Sequence, residues 1–142
     1  MKKDIVFITS RFPYPLNKGD KLRAFHQIKS LSKSANIYLI SISKNQLSKE
    51  DLRALPPYCR SVDNFVLSQT KSIISLFKGL FSNKAFSVSY FYHRSFQKLI
   101  DMKIKEINPD IIHCHLIRTA QYVNSSHIAI KTIDYMDCFS IG

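Results

Sequence analysis

Two repeating patterns of hydrophobic and polar positions divide the chain into short elements. Apolar, β-branched runs of five to eight residues are typical of strands buried in a parallel sheet. Between two such runs, apolar residues recur at every third position from Leu22 to Leu31, which is the period of one helix face. Together the patterns predict strands at 5–9, 36–43, 62–67, 111–115 and 128–133, and helices at 21–34, 48–55, 71–81, 89–107 and 118–124.

The order of these elements predicts the fold class. Strands alternate with helices at close spacing, which indicates an α/β protein with a Rossmann-like parallel sheet and helices on both faces. We assign residues 1–142 to one domain, because this length suffices for a single core. Ligands of such sheets bind beyond the carboxyl ends of the strands. The segments 10–23, 115–122 and 134–140 are therefore expected to share one rim.

Composition narrows the choice of partner and compartment. The formal net charge of +11 favours an anionic partner, and the alternative is simply a solvated basic surface. Three cysteines, none in a CxxC pair, argue against a disulfide framework and favour a reducing cytosol. Because no apolar run reaches the roughly 20 residues of a membrane span or forms a signal-peptide core, we predict a cytoplasmic location.

The loop that leads into the first helix offers groups suited to a phosphate. A helix N-terminus presents unpaired N–H groups and the positive end of its dipole, and Gly19 lets the backbone approach a ligand closely. Arg11, Lys18 and Arg23 add charged donors, and Asp20 suits the helix N-cap. The loop has neither a GxGxxG nor a Walker P-loop pattern. A dinucleotide or ATP site is therefore disfavoured, and an ordinary capped turn with surface cations is the alternative.

Two histidines, His113 and His115, lie two positions apart on the fourth predicted strand. They face the same side of the strand, but two ligands do not make a zinc site. A third ligand would have to come from Cys138, Asp137 or His26. We therefore predict no metal site, with His113 buried and hydrogen-bonded and His115 exposed at the rim, where it could bind a substrate hydroxyl.

Further polar groups follow on the predicted rim. On a helix, Arg118 and Tyr122 would share one face, with His115 at its start; the alternative is a surface arginine and a half-buried tyrosine. Asp134 and Asp137 follow the last strand, where a carboxylate could activate a hydroxyl or a pair could hold Mg²⁺. The alternative for the two carboxylates is one helix cap and one solvated side chain.

The segment 71–84 is amphipathic and basic. Its apolar face could pack on the sheet, which we favour. The alternative is peripheral contact with an anionic membrane, through apolar insertion and lysine attraction.

Three segments resemble bacterial sugar transferases among the GT-B-fold retaining glycosyltransferases, in the large family often called family four. The segments are RFPYPLNKGDKLR at 11–23, PDIIHCHLIRTAQYV at 109–123 and TIDYMDCFS at 132–140. They occur in the expected order and span nearly the whole chain, and the first is the most specific.

The resemblance implies the N-terminal, acceptor-side domain of an enzyme that transfers a sugar from a nucleotide-sugar donor to a polysaccharide or lipid-linked glycan at the cytosolic membrane face. It implies no metal ion or other cofactor. The C-terminal donor-binding domain has no counterpart here, so we expect a truncated chain that is inactive alone. We assign catalysis to Asp137 and His115, and substrate binding to Asn17, Lys18, Gly19, Asp20, Arg23, Arg118, Tyr122 and Ser140.

Two other functions stay open at this point. The chain could be a non-catalytic, Rossmann-like binding module that pairs with a separate donor-binding chain. It could also be a basic nucleic-acid-binding domain, which the charge of +11 motivates although no recognition motif is visible.

Overall fold

The structure, a computed structural model, describes residues 1–44, 46–66, 92–123 and 128–135. Its strands are β1 (Lys3–Thr9), β2 (Ala35–Ser43), β3 (Ser61–Val66), β4 (Ile111–His115) and β5 (Ile130–Asp134). Its helices are α1 (Gly19–Leu31), α2 (Lys49–Ala54), α3 (Arg94–Ile107) and α4 (Ile117–Ala120). The five strands form one parallel sheet in the order β3-β2-β1-β4-β5, which confirms the predicted α/β, Rossmann-like fold.

The two faces of the sheet carry separate apolar clusters, because successive strand residues point to opposite sides. One cluster packs beneath α3 and the other beneath α1. Helices therefore cover both faces, as predicted. The α3-side cluster is formed by Val6, Ile8, Ile40, Ile42, Ile100, Ile104, Ile112, Cys114 and Tyr122. The α1-side cluster is formed by Ile5, Phe7, Phe12, Ala24, Ile28, Ala35, Ile37, Leu39 and Leu55.

Local signals explain where several elements begin and end. Ser48 caps α2 in a reciprocal pair with Asp51, the capping box that satisfies two exposed N–H groups. α3 ends at Asn108 in the left-handed conformation, which asparagine tolerates, and Pro109 follows. Asp110 then exchanges hydrogen bonds with Asp4, so the start of β4 is held beside the start of β1.

Several helix boundaries differ from the predicted ones. α1 begins at Gly19 with Lys18 as its N-cap residue, so Asp20 lies in the first turn and is not the cap. α3 begins at Arg94, later than predicted, and α4 is only four residues long. The predicted helix at 71–81 lies outside the described residues. No helix in the described ranges is long and apolar enough to cross a bilayer.

Candidate functional site

The strand order creates a crevice where ligands bind in this class of sheet. From β1 the chain crosses to β2 on one side, whereas β4 lies on the other side of β1. The carboxyl ends of β1 and β4 therefore flank the topological switch point. In-register pairing places Ser41, Thr9, His115 and Asp134 side by side across four strands at this end. We refer to these four residues as the polar row.

Asp134 is the best-connected member of the polar row. Its carboxylate accepts two hydrogen bonds from Arg23, at 2.7 Å from Nε and 3.0 Å from Nη2. It accepts a third from Gln27 Nε2 at 2.8 Å. Hydrogen bonding from Arg23 holds the pKa of Asp134 below its ordinary value and raises the pKa of Arg23. The carboxylate is therefore ionised near neutral pH and ties α1 to the end of β5.

His115 is almost fully buried, with only 2% of its surface exposed. Its Nε2 lies 3.1 Å from the backbone carbonyl oxygen of Asp20. A carbonyl can only accept, so Nε2 carries the proton and Nδ1 of the neutral ring has the lone pair. Nδ1 lies 3.8 Å from an Asp134 oxygen. Burial lowers the pKa of His115, which favours the neutral ring.

His113 lies one row below His115, beside the ring of Phe7 with 4.6 Å between ring centroids. Its Nδ1 is 2.8 Å from the Thr132 hydroxyl, and burial lowers its pKa. The prediction of a buried His113 and a rim-exposed His115 was wrong in its order of burial. His115 is the more buried of the two, because the first turn of α1 covers the end of β4.

The structure brings a third potential metal ligand to the two histidines. One ligand atom from each of His113, His115 and Asp134 lies within 4.8 Å of the others. Sequence reasoning considered His26, Asp137 and Cys138 instead. His26 is exposed on α1, and the other two lie outside the described residues.

The first turn of α1 presents open space and charge. A Cβ added at Gly19 would meet no atom within 4 Å, so the fold itself does not require glycine there. Asp20 accepts a hydrogen bond from Arg11 at 3.0 Å. Asn17 is exposed in the preceding loop, next to Lys18, whose extended backbone begins the helix.

A basic cavity of about 300 Å³ lies beside this turn, between the ends of β1 and β2. Its lining residues include four cations, Arg11, Lys18, Lys21 and Lys44, against one carboxylate, Asp51. Lys21 donates to the Tyr14 carbonyl oxygen at 3.2 Å, and burial lowers its pKa. A cavity of similar size lies at the amino ends of the strands, away from these groups. Of these two cavities, the one beside α1 combines the switch-point end of the sheet with concentrated positive charge.

Tyr122 lies in the core and not on the rim. It is wholly buried in the α3-side cluster, and its hydroxyl accepts a hydrogen bond from the His93 backbone N–H at 2.9 Å. α4 ends before it, so Tyr122 does not extend a helix face from Arg118. The predicted site residues Asp137 and Ser140 lie outside the described residues.

Leu116 has an unusual backbone at the junction of β4 and α4. Its φ of 74° and ψ of 147° fall in a region that is nearly restricted to glycine. Its N–H donates to the Asp134 carbonyl at 3.1 Å, which helps to hold this conformation. Such backbone strain concentrates at functional sites, and here it directly follows His115.

Sequence reasoning missed two contributors to this site. The sequence pattern favours Asp137 over Asp134 as the catalytic carboxylate, and it does not single out Gln27. A partial signal existed, since Arg23 and Gln27 are one helical turn apart and so share a face.

The chain matches no protein-family model and no curated protein.

Proposed function

We propose that the chain is the acceptor-side half of a GT-B-type glycosyltransferase. Such an enzyme transfers a sugar from a nucleotide-sugar donor to a polysaccharide or lipid-linked glycan. The observation that carries the proposal is the polar row at the switch point, with the basic cavity beside it. The resemblance of the segments at 11–23, 109–123 and 132–140 to retaining enzymes supports it. A cytosolic location at the membrane face is part of the same proposal.

Positive charge around the first turn of α1 suits the phosphates of either substrate. Lys18 and Lys21 line the cavity, and the helix adds its N-terminal N–H groups and dipole. Gly19 leaves open space at the start of the helix. A phosphate or diphosphate group can therefore approach the backbone without meeting a side chain. In this proposal the cavity binds the charged linker of a lipid-linked acceptor, or the donor diphosphate.

His115 is suited to orient an acceptor hydroxyl. The Asp20 carbonyl fixes the tautomer, so Nδ1 is left as an acceptor in a position shielded from water. Thr9 Oγ1 lies in the same row and, among the described residues, has no hydrogen-bond partner. Asp137 keeps its proposed role as the second group acting on the acceptor. Sugar transfer itself requires a donor-binding half, in the same polypeptide or on another chain, because the leaving phosphate is stabilised from both sides of the cleft.

Binding experiments on the chain test this proposal. Titration calorimetry should detect binding of inorganic pyrophosphate and of a polyprenyl-diphosphate-linked sugar in detergent micelles. Lys18→Gln and Lys21→Gln should each weaken binding about 10–150-fold, because a hydrogen bond to a charged group contributes about 1.5–3 kcal/mol. Lys98→Gln is the matched control, since Lys98 is exposed on α3, on the opposite face of the sheet.

Gly19 provides a steric test that leaves the fold intact. Gly19→Trp should abolish binding of the diphosphate ligands, whereas Gly19→Ala should retain the fold and much of the affinity. Ser30→Trp, at the far end of the same helix, controls for the added ring. Binding that survives Gly19→Trp would contradict the proposed position of the phosphate. Salt-sensitive retention of duplex DNA, with no binding of either diphosphate ligand, would favour the nucleic-acid alternative instead.

A further inference from the structure

We propose that His113, His115 and Asp134 form a binding site for a divalent transition-metal ion of the Zn²⁺ class. One nitrogen of each ring and one carboxylate oxygen lie within 4.8 Å of one another. The resemblance to metal-independent transferases does not suggest this site, which is inferred from side-chain geometry alone. Binding of the ion needs neither donor nor acceptor, so it can be tested without the transferase function; an ion bound at His115 Nδ1 would replace the acceptor hydroxyl proposed to bind there.

Two imidazole nitrogens at this site are buried and unsatisfied. His113 Nε2 and His115 Nδ1 have no hydrogen-bond partner among the described residues. Buried polar atoms are nearly always bonded, and an exception calls for an explanation such as a ligand or an ion. Two such atoms, one row apart on the same strand face, point to one shared ligand. An ion that accepts both lone pairs would satisfy them together.

The other nitrogen of each ring is held as it is in known metal sites. A metal-ligating histidine almost always bonds through its second nitrogen to a carboxylate, a carbonyl or another oxygen, which fixes the ring. Here His115 Nε2 donates a hydrogen bond to the Asp20 carbonyl, and His113 Nδ1 is hydrogen-bonded to the Thr132 hydroxyl. Both rings are thus oriented by their partners, with one nitrogen left for an ion.

The ligand set suits zinc in number and kind. Two imidazoles and one carboxylate, with a water completing a tetrahedron, are a common zinc arrangement. Ligand bonds of about 2.0–2.2 Å place ligand atoms roughly 3.3–3.6 Å apart. His115 Nδ1 and Asp134 Oδ2 lie 3.8 Å apart. Side-chain rotations that move the ligand atoms by about 1 Å would therefore bring them to bonding distance of one ion.

Arg23 is the competitor for this site. Its guanidinium holds both oxygens of Asp134 and supplies the positive charge that an ion would supply. The Arg23 side chain is 52% exposed, so its guanidinium can turn into solvent without crossing packed side chains. An arriving ion can therefore displace the guanidinium into solvent, and Arg23 lowers the affinity for the ion.

Titration of the untagged chain, after removal of metal with a chelator, tests the proposal. Co²⁺ should produce visible absorption bands of a low-coordinate site at one equivalent, and Zn²⁺ should displace it. His113→Gln and His115→Gln should abolish the bands, whereas His26→Gln, which alters an exposed histidine, should leave them unchanged. Thr132→Val should lower affinity by about 10–100-fold, the usual effect of losing a ligand's hydrogen-bond partner.

Two exposed arginines give a test that leaves all three proposed ligands in place. Arg23→Gln should raise Zn²⁺ affinity, and Arg94→Gln, which removes the same charge on the other face of the sheet, should leave it nearly unchanged. Equal effects of the two variants would contradict competition at Asp134. Absence of Co²⁺ bands in the wild-type chain, or their loss in His26→Gln, would overturn the site. Diphosphate binding is measured separately, so either proposal can fail alone.

Discussion

The two faces of the central strands are built from alternate residues of the same segments, but their chemistry differs at the carboxyl end. On the α3 side, the apolar cluster continues to the carboxyl ends of the strands, with Ile8, Ile42 and Cys114. On the α1 side, the apolar residues stop one row earlier and the polar row replaces them. The hydroxyl oxygens of Thr9 and Ser41 there have no hydrogen-bond partner among the described residues.

Within a single strand, the residues on the α3 side contribute to stability, and those on the α1 side at the carboxyl end are suited to binding. A sequence optimised only for folding would not bury unbonded hydroxyls, because each costs free energy. Violations of such local rules are expected at functional sites. The α3 side therefore supplies stability, and the α1 side supplies a shaped, polar surface. Substitutions on the two faces should therefore have opposite effects on stability.

The largest effect should come from the apolar face. Ile8→Ala should lower the free energy of unfolding by about 2–5 kcal/mol, since it opens a cavity beneath α3. Urea unfolding followed by circular dichroism measures this. Ile130→Ala is the control, because Ile130 is 60% exposed, and it should change stability little. A loss below about 1 kcal/mol for Ile8→Ala would contradict tight packing on this face.

Substitution of Tyr122 tests whether this residue belongs to the core or to the binding site. Tyr122→Phe removes the acceptor of the His93 N–H and should cost about 1–3 kcal/mol. Tyr135→Phe is the control, because Tyr135 is 58% exposed. Since Tyr122 is buried away from the crevice, pyrophosphate affinity should not change in folded Tyr122→Phe. A clear loss of affinity at unchanged stability would return Tyr122 to the substrate-binding residues predicted from sequence.

Thr9 tests whether the polar row costs stability. Thr9→Val replaces a buried, unbonded hydroxyl by a methyl group, and should stabilise the fold by up to about 1 kcal/mol. Ile8→Thr, on the adjacent position and opposite face, should instead destabilise it by about 1–3 kcal/mol. Denaturant midpoints of both variants give the comparison. Similar losses in the two would mean that the faces do not differ in this way.

The smallest effect concerns pH. The pKa of Asp134 is lowered below its ordinary value of 3.8 by its bonds to Arg23 and Gln27. Its ionised form therefore stabilises the fold above that value, and this contribution is lost as the pH falls through the lowered pKa. With a chelator present, the stability difference between wild type and Asp134→Asn should shrink on acidification. Glu50→Gln, on exposed α2, controls for the loss of one charge. A difference independent of pH would contradict the ion pair.

The sequence by itself determined the local features of this protein. The runs of β-branched residues predicted all five strands, and β4 has the predicted bounds. The period of two placed His113 and His115 on one face, and the period of three predicted α1. These features depend on the spacing of neighbouring residues, which the sequence displays directly.

Only the tertiary structure decided which of these residues meet. Arg23 and Asp134 are 111 positions apart, and their contact follows from β5 pairing with β4 while α1 covers the same strand ends. The same arrangement buries His115 and makes Asp134 its neighbour. Tyr122 lies in the core because α4 ends early and α3 packs nearby. Strand order and the contacts between α1 and the strand ends depend on burial of the whole chain, and no local pattern encodes them.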